Sequence, residues 1–207
     1  MGIPVLILGE SGSGKSTSLR NFEPGEIGIL NIASKPLPFR KQLPHVDNPG
    51  YQKILKTLQK AALKSYAIDD SQYLMAFDSF DKAQETGYQK FTAMAQNMYS
   101  LLRTVQVDTP QDVLVYFLHH TDKSDDGRIR AKTLGKMLDN QLCFEGMFPI
   151  VLFCNTDGQS HWFETQSNGN TCAKSPMEMF DSFQIDNDLK LVDTKIREYW
   201  GLQAPKK

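Results

Sequence analysis

Eight consecutive residues, Gly9-Glu10-Ser11-Gly12-Ser13-Gly14-Lys15-Ser16, bring together the residue types that handle phosphate. They match the spacing GxxxxGK[ST] at every defined position. Glycines let the backbone curl so that successive N–H groups converge on an anion. Lys15 offers a positive point charge to β- and γ-phosphates, and the Ser16 hydroxyl suits a Mg2+ shell. Thr17 would back the loop near an α-phosphate, and a helix opening near Gly14 would add its N-terminal dipole. Gly9 through Thr17 is therefore expected to bind nucleotide. A glycine turn that binds nothing is disfavoured by the context, a buried strand before it and a helix after it.

A nucleotide site of this kind needs a carboxylate at the end of a neighbouring strand to hold Mg2+ through water. Ser65-Tyr66-Ala67-Ile68-Asp69-Asp70 offers two. Asp69 is the expected Mg2+ partner, together with Ser16. Asp70 is a candidate for polarising the attacking water, which makes Lys15, Asp69 and Asp70 the candidate catalytic set. The alternative is that the two acids only cap the helix that follows. No guanine-reading [NT]KxD motif occurs, so ATP is expected over GTP.

His119-His120 close the apolar run LVYFLHH. Either could sense a γ-phosphate, or one packs in the core while the other is exposed. Zinc is disfavoured because no Cys or third His stands at ligand spacing. Residues 121–136 read as a polar loop whose positive run comprises Arg128, Arg130, Lys132 and Lys136. Such a run can meet a phosphate backbone, or reach a neighbouring subunit's γ-phosphate as a finger, or simply be solvated.

The elements that must position these groups follow from the pattern of apolar residues. IPVLIL (3–8), IGILNIA (27–33), SYAIDD (65–70), DVLVYFLHH (112–120) and FPIVLFC (148–154) read as strands. The most continuously apolar of them suit a parallel sheet buried on both faces. A helix is expected from Gly14 to about Asn21, where Pro24-Gly25 breaks the chain. Ile54, Leu55, Leu58 and Ala62 place a helix over 51–63, and a long helix is expected over about 83–104. Asp157-Gly158 predicts a tight turn with SHWFETQ (160–166) as hairpin partner. Residues 187–200 read as a closing amphipathic helix. The proline-rich stretch 35–50 yields no pattern. The fold class is thus α/β, a mostly parallel sheet flanked by helices with a C-terminal antiparallel hairpin. One domain is expected over 1–207, with a core of about 3–166 and a helical segment over about 170–203.

The 207 residues are 40% hydrophobic and 23% charged with a net charge of −1, enough for a real core and unlike a strongly basic nucleic-acid binder. Three cysteines without CxxC spacing fit a reducing cytosol. The first residues, MGIPVLILGESG, read as a core strand rather than a signal peptide or a myristoylation site. No apolar run approaches the roughly 20 residues of a membrane helix. A cytoplasmic protein with no membrane contact is expected.

Taken together, GESGSGKSTSLRNF, GILNIASKPLPF and YAIDDSQYLM resemble phage-encoded nucleotide-binding proteins of the RecA-like P-loop class, which include Sak-type single-strand annealing ATPases. The resemblance covers roughly residues 3–166 and rests most on the KPLPF and IDDSQYLM segments. It implies ATP and Mg2+ as ligands, Asp69 as the Mg2+ residue, single-stranded DNA as a partner of the basic loop, and a homo-oligomer with ATP between subunits. It also implies a bacterial host cytoplasm. RecA-like enzymes often carry a catalytic Glu at another strand end, here near Asn31–Lys35, and no Glu stands there. Aromatic stacking platforms are absent near Arg128–Lys136. Two rivals follow, a nucleotide-gated assembly module with little hydrolysis and a small-molecule kinase with 121–136 as its lid.

Overall fold

The computed structural model describes residues 1–85, 89–124, 127–134 and 142–203. Its centre is a sheet in the order β3-β2-β4-β5-β1-β7-β8-β9. β1 is Ile3–Gly9, β2 Gly28–Asn31, β3 His45–Asp47, β4 Ser65–Asp69 and β5 Leu114–Lys123. β7 is Ile150–Thr156, β8 His161–Glu164 and β9 Gln184–Asp186. The six strands from β3 to β7 in that order pair in parallel, while β8 and β9 add an antiparallel edge. β6, Ile129–Ala131, pairs antiparallel with the far end of β5.

Alternation along the strands splits the core into two layers. Leu6, Leu8, Ile68, Val115 and Phe117 face one way, toward Ile54 and Leu58 of α1 (Tyr51–Lys60), Met75 of α2 (Tyr73–Asp81) and Met94 and Met98 of α3 (Gln89–Arg103). Val5, Ile7, Tyr116, Leu118 and Leu152 face the other way, toward Leu19, Phe22 and the Leu189, Val192 and Ile196 stripe of α4 (Leu189–Trp200). Helices on both faces explain why β1 and β5 read as unbroken apolar runs: neither face meets water. Among the described residues no helix is long and apolar enough to cross a membrane.

Several expected elements differ. The helix after the glycine loop is a six-residue 3-10 turn, Ser16–Asn21. The Ser18 hydroxyl donates to the Lys15 carbonyl at 2.5 Å, and the Ser18 N–H is shared between the carbonyls of Gly14 and Lys15. Serine and threonine compete in this way for helical backbone partners, and the chain turns out before a second α-turn forms. So short a turn contributes little of the dipole expected from a full helix. The long helix over 83–104 is α3 alone, preceded by the separate α2 and followed by a π-turn, Thr104–Asp108. The loop expected over 121–136 is in its first half a hairpin, because β5 runs on to Lys123 and Asp122 stands opposite Arg130. The C-terminal segment is not purely helical, since β9 extends the sheet before α4.

α4 is fastened to the lower edge of the sheet by a buried ion pair. Arg197 Nε donates to Asp193 Oδ1 at 2.6 Å, and Asp193 Oδ2 accepts from the hydroxyls of Ser65 (2.6 Å) and Tyr116 (3.0 Å). The remaining guanidinium N–H groups reach the carbonyls of Lys64, Asp112 and Gln203 and the Ser65 hydroxyl. Asp193→Ala would leave a buried guanidinium without its counter-charge, and it is expected to lower stability by roughly 3 kcal/mol in urea unfolding. A loss under about 1 kcal/mol would show that the network does not hold α4.

Candidate functional site

The register of the strands gathers the candidate residues at one edge of the sheet. Gly9, Asn31 and Asp69 end β1, β2 and β4, with Gly9 beside His120 of β5 and Asn31 beside Asp69. In an open α/β sheet this is the edge where ligands bind. Here it carries a cleft of about 240 Å³ whose walls include Gly12, Lys15, Ser16, Asp69, Asp70 and His120. Ser11, Gly14, Thr17, Lys35, two prolines and His161 complete the lining.

The glycine loop has little room to be anything else. A Cβ on Gly9 would stand 2.6 Å from the Cys154 carbonyl oxygen and 2.4 Å from Ser13 Oγ. Gly14 has φ +101°, and a Cβ there would meet His161 Nδ1 at 2.9 Å. Two groups hold the Ser13 carbonyl from the neighbouring hairpin: His161 Nδ1–H donates to it at 2.8 Å and the Cys154 thiol at 3.0 Å. Burial pushes that thiol up to about 11, so it stays a neutral donor. Neither clamp is announced by a motif. In sequence Cys154 only ends the apolar run FPIVLFC, and His161 only stands in the hairpin arm SHWFETQ.

Lys15 folds back onto its own loop, donating to the carbonyls of Gly9 and Glu10, both at 2.8 Å. Burial pulls its ammonium below the ordinary lysine range, against the opposing pull of nearby Asp70 and Asp69. The Ser16 hydroxyl donates to Asp69 Oδ1 at 2.8 Å, joining the loop to β4. Burial raises the Asp69 carboxyl to about 6, while the Ser16 bond works the other way. Asp70 is its opposite. Burial disfavours its charge, yet His120 Nε2 on Oδ1 (3.1 Å) and Lys35 Nζ on Oδ2 (2.7 Å) hold it down at about 2. Neither acid caps α2 through its side chain, so the capping alternative fails on geometry.

The two histidines separate. His119 is fully buried and bonded through both ring nitrogens, to the Ser71 hydroxyl at 2.8 Å and the Lys132 carbonyl at 2.7 Å. A carbonyl only accepts, so Nε2 carries the proton and Nδ1 accepts from Ser71. Burial lowers its pKa to about 4, which keeps the ring neutral. It holds the hairpin base and does not line the cleft, whereas His120 does. Arg128, Arg130 and Lys132 are exposed on or beside the hairpin and away from the cleft lining. Lys136 lies outside the described residues.

The cleft thus offers a hydroxyl, a buried carboxylate and an ammonium group to an anion and its cation. Ser16 and Asp69 are the residues that could hold Mg2+. Among the described residues no group of three or more His, Cys, Asp and Glu is placed to hold a metal unaided. A Mg2+ ion bound with phosphates keeps waters and takes only one or two protein oxygens, which this pair can supply. No protein-family model and no curated protein matches the chain.

Asp69 yields a pH prediction. Its folded pKa, about 6, lies above its ordinary 3.8, so its contribution to stability is present below pH 3.8 and lost as pH rises through about 6. Asp69→Asn has no charge to bury. It is expected to be more stable than wild type by roughly 1–3 kcal/mol at pH 7.5 and to show no advantage near pH 4. Thermal melts across this range check it, and an advantage that does not change with pH would contradict the buried-charge account.

Proposed function

We propose that the chain is a Mg2+-ATP-binding, RecA-like ATPase of phage type, acting on single-stranded DNA in recombination or replication. The observation that carries this reading is the convergence of Lys15, Ser16 and Asp69 in one cleft, with Ser16 and Asp69 joined across 53 positions of sequence. The sheet order supports the RecA-like assignment: β5 lies between the loop-bearing β1 and the acid-bearing β4, and brings His120 to the cleft. The hairpin beyond β5 presents Arg128 and Arg130 to solvent, where a DNA backbone or a neighbouring subunit of a homo-oligomer would meet them.

In this reading Lys15 exchanges its two loop carbonyls for phosphate oxygens and stabilises the charge that develops as water attacks the γ-phosphate in line. Mg2+, when bound, would spread that charge further. Loop amides orient the phosphates, and His120 stands where it can report the terminal one.

One observation favours a second reading, a nucleotide-gated assembly module with little turnover. Both oxygens of Asp70 are engaged, and among the described residues no Glu lines the cleft.

ATP hydrolysis with and without single-stranded DNA separates the two. The ATPase reading expects stimulation by DNA and a fall of at least about 100-fold in Lys15→Ala and Asp69→Ala. Turnover in both variants at the wild-type rate would place the chemistry elsewhere, and tight binding without turnover would select the assembly module. Reversing the hairpin charges, Arg128→Glu with Arg130→Glu, is expected to abolish DNA stimulation while basal turnover stays within about twofold, and to flatten the salt dependence of DNA binding. Unchanged stimulation would remove the hairpin from the DNA interface.

A further inference from the structure

We propose that Lys35 is a phosphate contact supplied by the same chain: its ammonium rests on Asp70 and moves to the terminal phosphate when a triphosphate enters the cleft. This rests on the nucleotide-site reading above. Lys35 comes from the turn after β2 and lines the same cleft as Lys15, Ser16 and Asp69. It is the exposed member of its ion pair, with 58% of its side chain exposed against 11% for Asp70. A lysine has a flexible four-carbon stem and three rotatable donors, so it can change partners without moving backbone. Its departure would not strand Asp70, whose other oxygen stays bonded to His120 at 3.1 Å.

The backbone under the pair is built for this placement. Ser34 (φ +52°) and Asp70 (φ +58°) are both left-handed although neither is glycine, and they bracket the ion pair from two separate segments. Such conformations persist where the surroundings enforce them, and they concentrate at functional sites. The turn through Ser34 is held by Asn31, buried at the end of β2. Its side-chain N–H groups donate to the Lys35 carbonyl at 2.8 Å and to Asp47 Oδ1 at 2.7 Å, while its backbone carbonyl accepts from the Asn48 N–H at 2.9 Å. A buried side chain with both amide N–H groups engaged thus fixes the turn that presents Lys35. The electrostatics agree: the charge of Lys35 is near enough to work against that of Lys15, and an anion between two ammonium groups relieves that repulsion.

Calorimetric titration with a non-hydrolysable ATP analogue and with ADP, both with Mg2+, tests the assignment. Wild type is expected to prefer the triphosphate. Lys35→Gln is expected to lose about tenfold in triphosphate affinity while ADP affinity stays within about twofold, and Lys35→Arg to keep most of the preference. Asp70→Asn, whose amide tolerates the left-handed backbone, frees Lys35 and is expected to bind the triphosphate about threefold tighter. A purely structural ion pair predicts instead that both variants weaken both nucleotides together, and that result overturns the proposal. So does an unaltered triphosphate preference in Lys35→Gln when Lys15→Ala has lost binding, an outcome that leaves the nucleotide site standing. Wild type binding neither nucleotide would overturn the site and the role of Lys35 together.

Discussion

β1 lies in the interior of the sheet, between β5 and β7, with both faces covered. The chain that leaves it at Gly9 must therefore turn over the sheet edge at once, in a space already bounded by the Cys154 carbonyl. That confinement shapes the rest of the site. It excludes a side chain at Gly9, and it sets the Ser13 carbonyl against the hairpin, where His161 and Cys154 hold it. It also delivers Lys15 and Ser16 above the ends of β1 and β4. Were β1 an edge strand, the loop would have room to spread and no reason to close on Asp69.

Within this frame, two adjacent carboxylates are given opposite characters. Asp69 is buried with one hydroxyl partner and sits high in pKa; Asp70 is paired on both oxygens and sits low. Neighbouring acids pushed apart in this way can take different parts in one reaction. Asp69 has a charge that a bound cation would stabilise. Asp70 acts through its partners, linking the turn after β2 to the end of β5 by way of Lys35 and His120. The charges of the cleft are thus paired with one another, and a phosphate ligand would reorganise them by exchanging partners rather than by moving strands.

The glycine loop, its lysine and the acids after β4 were legible in sequence because each follows an apolar run buried on both faces, and such runs locate strand ends closely. The three-residue edge strands β3 and β9 were not, since they bury too little to leave a pattern. α2 begins at Tyr73, just beyond the polar Ser71 and Gln72, and lacks a clear amphipathic stripe. Its neighbour α3 is longer and presents one. The β5–β6 hairpin hid in charged residues, because its pairing is through backbone and only Ile129 and Ala131 of β6 reach the core. His119 and His120 are indistinguishable as letters. Only the alternation of a strand, which points one into the layer around Phe144 and the other toward the cleft, separates them. Lys35 sits in a proline-rich turn whose shape depends on the bonds of Asn31 to the Lys35 carbonyl and to Asp47, which no apolar periodicity encodes.

A crystal structure grown with Mg2+ and a non-hydrolysable ATP analogue tests the central claim most directly. The account predicts the triphosphate enclosed by the loop from Ser11 to Ser16, Lys15 released from the Gly9 and Glu10 carbonyls onto phosphate oxygens, and Mg2+ beside Ser16 and Asp69. A nucleotide bound elsewhere, with Lys15 still on its carbonyls and Ser16 still bonded directly to Asp69, would contradict it.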